Sequence, residues 1–212
     1  MIGSVKNSFF LVEDHRLMRQ GIVSYITKNT KFTCAGEAGT QKEFLDAMNG
    51  LAPDCMPDVL VTDLNIDGSM KGGISLIQLC RKDFPALKII VYSMYEAISV
   101  VSTAMNAGAD AYVSKLSKEE ELVTALRKVI AGQKYIEPEL AAKMQDFERT
   151  LSVFSKREQQ ILNLILIGKT NADIAQQLNL HKRTVENHIC HIYDKTGLSS
   201  REELLNYYSH QE

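Results

Sequence analysis

The sequence VLVTDLNIDG, residues 59–68, places an aspartate, Asp63, at the end of an apolar run. The residues from Val59 to Thr62 are mostly β-branched and apolar, which predicts a buried β-strand. Such a strand should not end on an uncompensated carboxylate, because desolvating a charge costs far more free energy than one strand residue contributes. We therefore expect other parts of the chain to place compensating groups around Asp63.

The composition is that of an ordinary globular protein. The 212 residues are 45% hydrophobic and 24% charged, with a formal net charge of −2, which suits one large domain or two modest ones. The four cysteines are scattered without a CxxC pair, which predicts reduced thiols in a cytosolic protein. No apolar run approaches the ~20 residues that span a bilayer, and no signal-peptide pattern opens the chain, so we expect a cytoplasmic protein without a membrane partner.

The first 131 residues alternate strand-like runs with helical stretches. Five βα units with near-continuous apolar strands predict an α/β fold, a five-stranded doubly wound parallel sheet with helices on both faces. The predicted strands are SFFLVE (8–13), FTCAGE (32–37), DVLVTD (58–63), LKIIVYS (87–93) and AYVSK (111–115). Helices are predicted near 16–28, 41–50, 74–83, 96–107 and 118–131.

After Gly132 the strand signals stop, and the remaining pattern predicts a small all-α domain of four helices. A capping box is predicted in this domain at Ser155 with Glu158, and another in the first domain at Ser117 with Glu120. The predicted division of the chain is 1–134 for the first domain, 135–150 for a linker and 151–212 for the second domain.

Polar residues follow the predicted strands at one edge of the sheet, where ligands of parallel α/β folds bind. They are Glu13, Asp14, Asp63, Ser93 and Lys115. Three carboxylates repel one another unless a cation lies among them, and oxygen ligands suit Mg²⁺. A lysine and a hydroxyl opposite the carboxylates suit phosphoryl transfer, in which positioning and charge neutralisation provide most of the catalysis.

With these residues the first 131 positions resemble a receiver domain of bacterial two-component systems. The resemblance implies that Asp63 accepts a phosphoryl group from a sensor histidine kinase and that Ser93 and Lys115 contact that group. It also implies that Tyr112 is the aromatic switch residue that turns inward on activation. The implied Mg²⁺ ligands are Glu13, Asp14, Asp63 and the backbone carbonyl of Asn65.

Two positions depart from the receiver pattern. Asp67 stands where the family usually has proline, and Met94, after Ser93, stands where a small residue is common. These features and the stretch ELLNYYS (203–209) resemble the capsule-synthesis regulator subgroup. A flavodoxin-like flavin enzyme shares the predicted architecture, but the acidic residues 13–14 after the first strand would repel its phosphate, which argues against flavin.

Residues 154–205 include Arg157-Glu158, Gly168, Thr184-Val185 and Gly197, and with these residues at this spacing the stretch resembles a LuxR-type helix-turn-helix. The stripe of Val185, Ile189 and Ile192 predicts the buried side of its reading helix, so the opposite side would face a DNA major groove, where asparagine and glutamate read base edges. Basic residues of the same helix would contact phosphates. The predicted DNA-binding residues are Lys182, Arg183, Thr184, Glu186, Asn187, His188, Cys190 and Lys195.

Two further hypotheses concern the second domain. Residues 151–212 hold seven basic and seven acidic residues, so non-specific DNA binding should be weak and dimerisation important. A helical protein-interaction module therefore stays an alternative. His188 and His191, one helical turn apart, could contribute to a metal site, but the sequence shows fewer ligands than such sites usually have.

Together these features predict a response regulator of the NarL/FixJ type, which is a phosphorylation-controlled transcriptional regulator rather than an enzyme. Its receiver would assist phosphoryl transfer only to its own Asp63. The expected partners are promoter DNA, a histidine kinase, a second copy of the chain on activation, and RNA polymerase. The alternative is a DNA-binding regulator that acts without phosphorylation, as a homodimer or heterodimer.

Overall fold

The computed structural model describes residues 7–66 and 68–209, so Asp67 lies outside the described residues. The chain forms two compact units: the first contains the described residues up to Glu96 and Val101–Glu137, and the second contains Ala97–Val100 and the described residues from Pro138 onward. We call them the N-terminal unit and the C-terminal unit. The predicted linker, 135–150, covers a short strand and most of a helix; the predicted domain bounds themselves stay a prediction. Within the described ranges, no helix is both long and apolar enough to cross a bilayer.

The N-terminal unit alternates strands and helices as the sequence pattern predicts. Its strands are β1 Ser8–Val12, β2 Thr33–Ala38, β3 Val59–Thr62, β4 Lys88–Ser93, β5 Ala111–Ser114 and β6 Tyr135–Ile136. Its helices are α1 Arg16–Asn29, α2 Gln41–Asn49, α3 Met70–Asp83, α4 Ile98–Ala107 and α5 Glu120–Ile130, with a 3-10 turn at Pro53–Cys55.

The strands form one parallel sheet in the order β2-β1-β3-β4-β5-β6. The α/β fold class is confirmed, but the predicted count of five strands is wrong. The sixth strand is only two residues long and pairs Tyr135 and Ile136 with Ala111 and Tyr112. The chain runs from β1 to β2 on one side and then crosses back to β3 on the other side of β1, so the topological switch point lies between β1 and β3, beside Asp63.

The core of the N-terminal unit lies on both faces of this sheet. On one face, apolar residues of the central strands pack with Ile26 of α1 and Leu126 of α5 in a single buried cluster. Phe10 of β1 contacts Phe44 of α2, with ring centroids 5.1 Å apart in an edge-to-face arrangement. Because β3 and β5 are buried along their whole lengths, their carboxyl ends are held rigidly where they emerge.

Helix α3 begins at Met70, four residues before the predicted start. Ser69 is its N-cap and accepts from the backbone N–H of Lys71 at 3.2 Å. The two glycines of the segment lie inside the helix because they allow close packing on the loop after β3. A Cβ on Gly73 would come within 2.4 Å of the Leu64 Cα, and one on Gly72 within 2.6 Å of the Ile66 carbonyl oxygen.

The C-terminal unit is helical. Its helices are α6 Pro138–Leu151, α7 Lys156–Leu166, α8 Asn171–Gln177, α9 Lys182–Thr196 and α10 Arg201–Ser209. The four predicted helices correspond to α7–α10, and α6 occupies most of the predicted linker. The buried residues Ile161, Ile174 and Leu204, from three of these helices, belong to the core of this unit.

The two predicted capping boxes have different outcomes. Ser155 and Glu158 form the predicted reciprocal bonds at the start of α7. Ser117 does not cap α5, which begins after Glu119 without a side-chain cap. Instead, Ser117 lies in the turn that follows β5, where its N–H donates to the Ser114 carbonyl at 3.3 Å. Its side chain hydrogen-bonds the carboxyl group of Glu137 and therefore does not cap α5.

Candidate functional site

Asp63 lies directly after β3, and its carboxylate accepts bonds from four groups. The Oδ1 atom accepts from the hydroxyl of Ser93 at 2.6 Å and from the backbone N–H groups of Leu64 and Asn65 at 2.6 and 3.2 Å. The Oδ2 atom accepts from the ammonium of Lys115 at 2.5 Å. With its side chain only 6% exposed, this is the compensated carboxylate that the sequence required.

Lys115 connects two buried carboxylates. Its Nζ lies 2.5 Å from Oδ2 of Asp63 and 2.5 Å from Oε2 of Glu13, and the side chains of Lys115 and Glu13 are 4% and 1% exposed. One ammonium between two carboxylates leaves a net negative charge at this edge of the sheet. The site is therefore prepared to receive a further cation.

Glu13 and Asp14 follow β1 and contact a histidine that sequence reasoning missed. The His15 Nδ1 lies 2.8 Å from Oδ1 of Asp14 and 3.3 Å from Oε1 of Glu13. Arg19 donates to the backbone carbonyl of Glu13 at 2.5 Å. The only sequence signal for His15 was its position beside the acidic pair.

The oxygen donors at this edge fit Mg²⁺. Carboxylates of Glu13, Asp14 and Asp63 lie at the carboxyl ends of neighbouring strands, and Asp14 is the more accessible of the first two. Hard divalent cations prefer such oxygen ligands. Asn65 is held beside them by the bond from its N–H to Asp63.

Tyr112 of β5 is fully buried, in the inward position. Its hydroxyl donates to the backbone carbonyl of Tyr95 at 2.5 Å. Burial, with a further contribution from the charge of Asp63, raises the pKa of Tyr112 well above its ordinary value, so the phenol stays a neutral donor. Met94, between Ser93 and Tyr95, is 52% exposed and lies outside the core.

In the C-terminal unit, α9 buries Val185, Ile189 and Ile192, which confirms the predicted stripe. Most of the predicted DNA-binding residues are exposed, and two, Thr184 and His188, are partly buried. The exposed ones are Lys182, Arg183, Glu186, Asn187, Cys190 and Lys195. The Nζ atom of Lys182 also lies 3.9 Å from Oε1 of Glu186, one turn further along the helix.

Lys195 has a partner that the sequence did not indicate. Its Nζ lies 2.6 Å from Oε2 of Glu158, which also accepts from the Ser155 N–H at 2.7 Å. Burial alone would raise the pKa of Glu158, but the hydrogen bonds from Lys195 and Ser155 outweigh burial and lower the pKa to about 2. This ion pair joins α7 to α9 and orients the exposed side of α9.

Comparison with known protein families gives a match for each of the two units. Residues 9–127 match the response regulator receiver domain, and residues 152–208 match the LuxR family of bacterial regulatory proteins. The chain therefore belongs to the response regulators that combine a receiver with a LuxR-type DNA-binding domain, and the predicted family and function class are confirmed.

Relatives of this chain match it over nearly its whole length. The response regulator protein VraR of Staphylococcus aureus is 28% identical over 201 residues, covering 92% of this chain and 93% of VraR. A structure of RcsB from Salmonella typhimurium shares 26% identity with a TM-score of 0.63, covering 97% and 99% of the two chains. RcsB of Salmonella enterica serovar Typhimurium, bound to promoter rprA in the presence of the phosphomimetic BeF3-, shares 25% identity with a TM-score of 0.63, covering 96% and 98%.

Proposed function

We propose that this protein regulates transcription and that phosphorylation of Asp63 controls its binding to DNA. The observation that carries the proposal is the convergence of an ammonium, a hydroxyl and two backbone N–H groups on one buried carboxylate. A structural aspartate needs no lysine and serine from two other strand ends. This arrangement instead suits a carboxylate that accepts a phosphoryl group.

In the proposed reaction a carboxylate oxygen of Asp63 attacks the phosphorus of a phosphodonor. The bond between phosphorus and the donor's nitrogen or oxygen breaks, and its electron pair leaves with the donor. Lys115 neutralises the charge brought by the phosphoryl group, and the hydroxyl of Ser93 donates to a phosphoryl oxygen. Because both groups already contact Asp63, little reorganisation is needed when the new charge arrives.

The carboxylates of Glu13, Asp14 and Asp63 and the carbonyl of Asn65 would hold Mg²⁺. When bound, the ion supplies positive charge that neutralises the phosphoryl oxygens near Asp63. Support for this ligand set comes from its chemistry, since every proposed donor atom is oxygen.

Tyr112 would connect phosphorylation to the turn after β4. Its hydroxyl bond to Tyr95 ties β5 to a residue only two positions after Ser93. If the Ser93 hydroxyl moves from Asp63 to a phosphoryl oxygen, the backbone that follows Ser93 should shift. The carbonyl of Tyr95, which accepts from Tyr112, lies in that backbone. We therefore expect the exposed positions of Met94 and Tyr95 to change when Asp63 is phosphorylated.

DNA recognition is assigned to the exposed side of α9. Glu186 and Asn187 project there and would read base edges, while Lys182 and Arg183, near the start of the helix, would contact phosphates. The remaining predicted contacts are Thr184, His188, Cys190 and Lys195. The balanced charge of the unit makes a homodimer on promoter DNA the expected binding form. The histidine kinase, RNA polymerase and the cytoplasmic location stay predictions.

The proposal is tested by treating the full-length protein with acetyl phosphate and Mg²⁺ and measuring its mass. Wild type should gain one phosphoryl group per chain, and Asp63→Asn should gain none. Asp54→Asn, which changes an exposed aspartate before β3, is the matched control and should behave as wild type. Phosphorylation of Asp63→Asn would refute the acceptor assignment.

Control of DNA binding by phosphorylation is tested by selecting binding sites from randomised DNA with the phosphorylated and the unphosphorylated protein. We expect the phosphorylated protein to bind the selected site more tightly. If phosphorylated and unphosphorylated proteins bind that site equally, the alternative of a phosphorylation-independent homodimer or heterodimer is favoured.

A further inference from the structure

Two histidines of α9 lie opposite a buried carboxylate of α7. His188 and His191 are three residues apart, which places them on the same side of a helix, and their ring centroids are 6.3 Å apart. The Nδ1 atom of His191 lies 3.8 Å from Oε1 of Glu158. One ligand atom from each of the three residues lies within 4.8 Å of the other two. The sequence showed the histidine pair; the fold adds the third ligand.

The two oxygens of Glu158 have separate roles. Oε2 accepts both from Lys195 and from the N–H of Ser155, whereas Oε1 is the oxygen that lies toward His191. The Glu158 side chain is nearly fully buried and its orientation is set by the bonds to Oε2. A carboxylate held in this way presents its other oxygen at a defined position, as metal ligands in proteins require.

We propose that Glu158, His188 and His191 form a binding site for a divalent transition metal ion such as Zn²⁺. Two imidazole nitrogens and one carboxylate oxygen are a ligand set that suits Zn²⁺, with water in the fourth position. At metal–ligand distances of about 2.0–2.1 Å, tetrahedral ligand atoms lie roughly 3.3 Å apart. The imidazoles must therefore turn slightly inward, and the His191 side chain, 61% exposed, has room to do so.

Lys195 sets the strength expected of the site. Its ammonium bonds to the carboxylate that would hold the ion, so it repels a second cation nearby and weakens binding. The histidine side chains lie toward solvent, where this repulsion is screened. We expect binding at micromolar concentrations of metal, weaker than in a closed structural zinc site.

An ion at this site would tie the first turn of α7 to the middle of α9. Because the ligands come together only in the folded unit, binding should raise the melting temperature of the protein, and more so at higher metal concentration. This readout does not depend on phosphorylation or on DNA.

The test is a titration of the full-length protein with Co²⁺, whose visible absorption reports nitrogen and oxygen ligation, followed by competition with Zn²⁺. Because Glu13, Asp14 and His15 of the N-terminal unit could also bind Co²⁺, the titration is repeated with His15→Ala, which should leave binding at the site on α9 unchanged. Wild type should bind one Co²⁺ per chain at the site, and His191→Ala and His188→Ala should each weaken that binding roughly tenfold or more. Zn²⁺ should raise the melting temperature of wild type and not that of His191→Ala.

Two control variants separate this site from nearby alternatives. Cys190→Ser removes the exposed thiol between the histidines, and His181→Ala removes an exposed histidine just before the same helix; both should bind Co²⁺ as wild type does. Loss of binding in Cys190→Ser would overturn the proposal in favour of thiol ligation. Unchanged binding in His191→Ala, with circular dichroism and a second variant, His191→Gln, agreeing, would also overturn it.

Discussion

Replacing Lys115 with methionine removes one ammonium from between two buried carboxylates and keeps an apolar side chain of similar length. The Nζ atom lies 2.5 Å from Asp63 Oδ2 and 2.5 Å from Glu13 Oε2. At an effective dielectric constant of about 20, each contact has a gross attraction of roughly 7 kcal/mol, much of which is offset by desolvation of the ions. Removing one partner of such a buried pair costs about 3–5 kcal/mol, and we expect that loss in the free energy of unfolding of the N-terminal unit.

Mg²⁺ should restore part of this stability. The two carboxylates left by Lys115→Met are buried without their cation, so an ion bound between them replaces the missing positive charge. At a concentration about 100 times its dissociation constant, a ligand that binds only the folded state stabilises it by about 2.7 kcal/mol. Wild type should gain less from Mg²⁺, because the ammonium of Lys115 repels the ion.

The assay is guanidinium unfolding of the full-length protein with and without Mg²⁺. Hydrogen exchange of peptides from β3 and β5 assigns the transition to the N-terminal unit. Lys118→Met, which changes an exposed lysine in the same connection, is the matched control and should change stability by less than about 0.5 kcal/mol. A loss below about 1 kcal/mol for Lys115→Met, or the same gain from Mg²⁺ in both proteins, would refute the reasoning.

Five further variants test three other features of the molecule. Met94→Ala should cost at most about 0.5 kcal/mol of stability, because Met94 is half exposed, and should speed both phosphorylation by acetyl phosphate and its decay; equal decay would mean that Met94 does not cover the acceptor. Glu186→Ala and Asn187→Ala should relax base preference at about 1–3 kcal/mol per lost contact, whereas Lys182→Ala should weaken all sequences alike; an unchanged preferred site in the first two would reject α9 as the reader. Burial raises the pKa of Glu137 above its unfolded value, so wild type should lose stability as pH rises through the raised pKa, and Glu137→Gln should not; parallel pH profiles in urea unfolding would contradict this.

The sequence alone determined the class of the fold and which residues meet around Asp63. Alternating buried strands and helices predict a parallel sheet. Because parallel strands bring their carboxyl ends to one edge of the sheet, the strand pattern alone predicts that Asp63, Ser93 and Lys115 meet there. The stripe of apolar residues on α9 likewise determined which side of that helix is buried, because its period matches the helical turn.

Features that depend on contacts between distant residues were decided only by the tertiary structure. Strand β6 is too short to leave a periodic signal and exists because Tyr135 and Ile136 find a free edge at β5. Helix α3 begins early because Gly72 and Gly73 can pack against backbone that the sequence does not place beside them.

The same limit applies to the partners of charged side chains. Lys115 was expected opposite the carboxylates, and the structure shows that it contacts Asp63 and Glu13. Lys195 was expected to face phosphates, and it bonds to Glu158. A residue's type and its position in a helix or strand can be read locally. Which charged group a side chain contacts depends on how the helices and strands pack. For the two histidines of α9, that packing places Glu158 of α7 beside them as a third possible ligand.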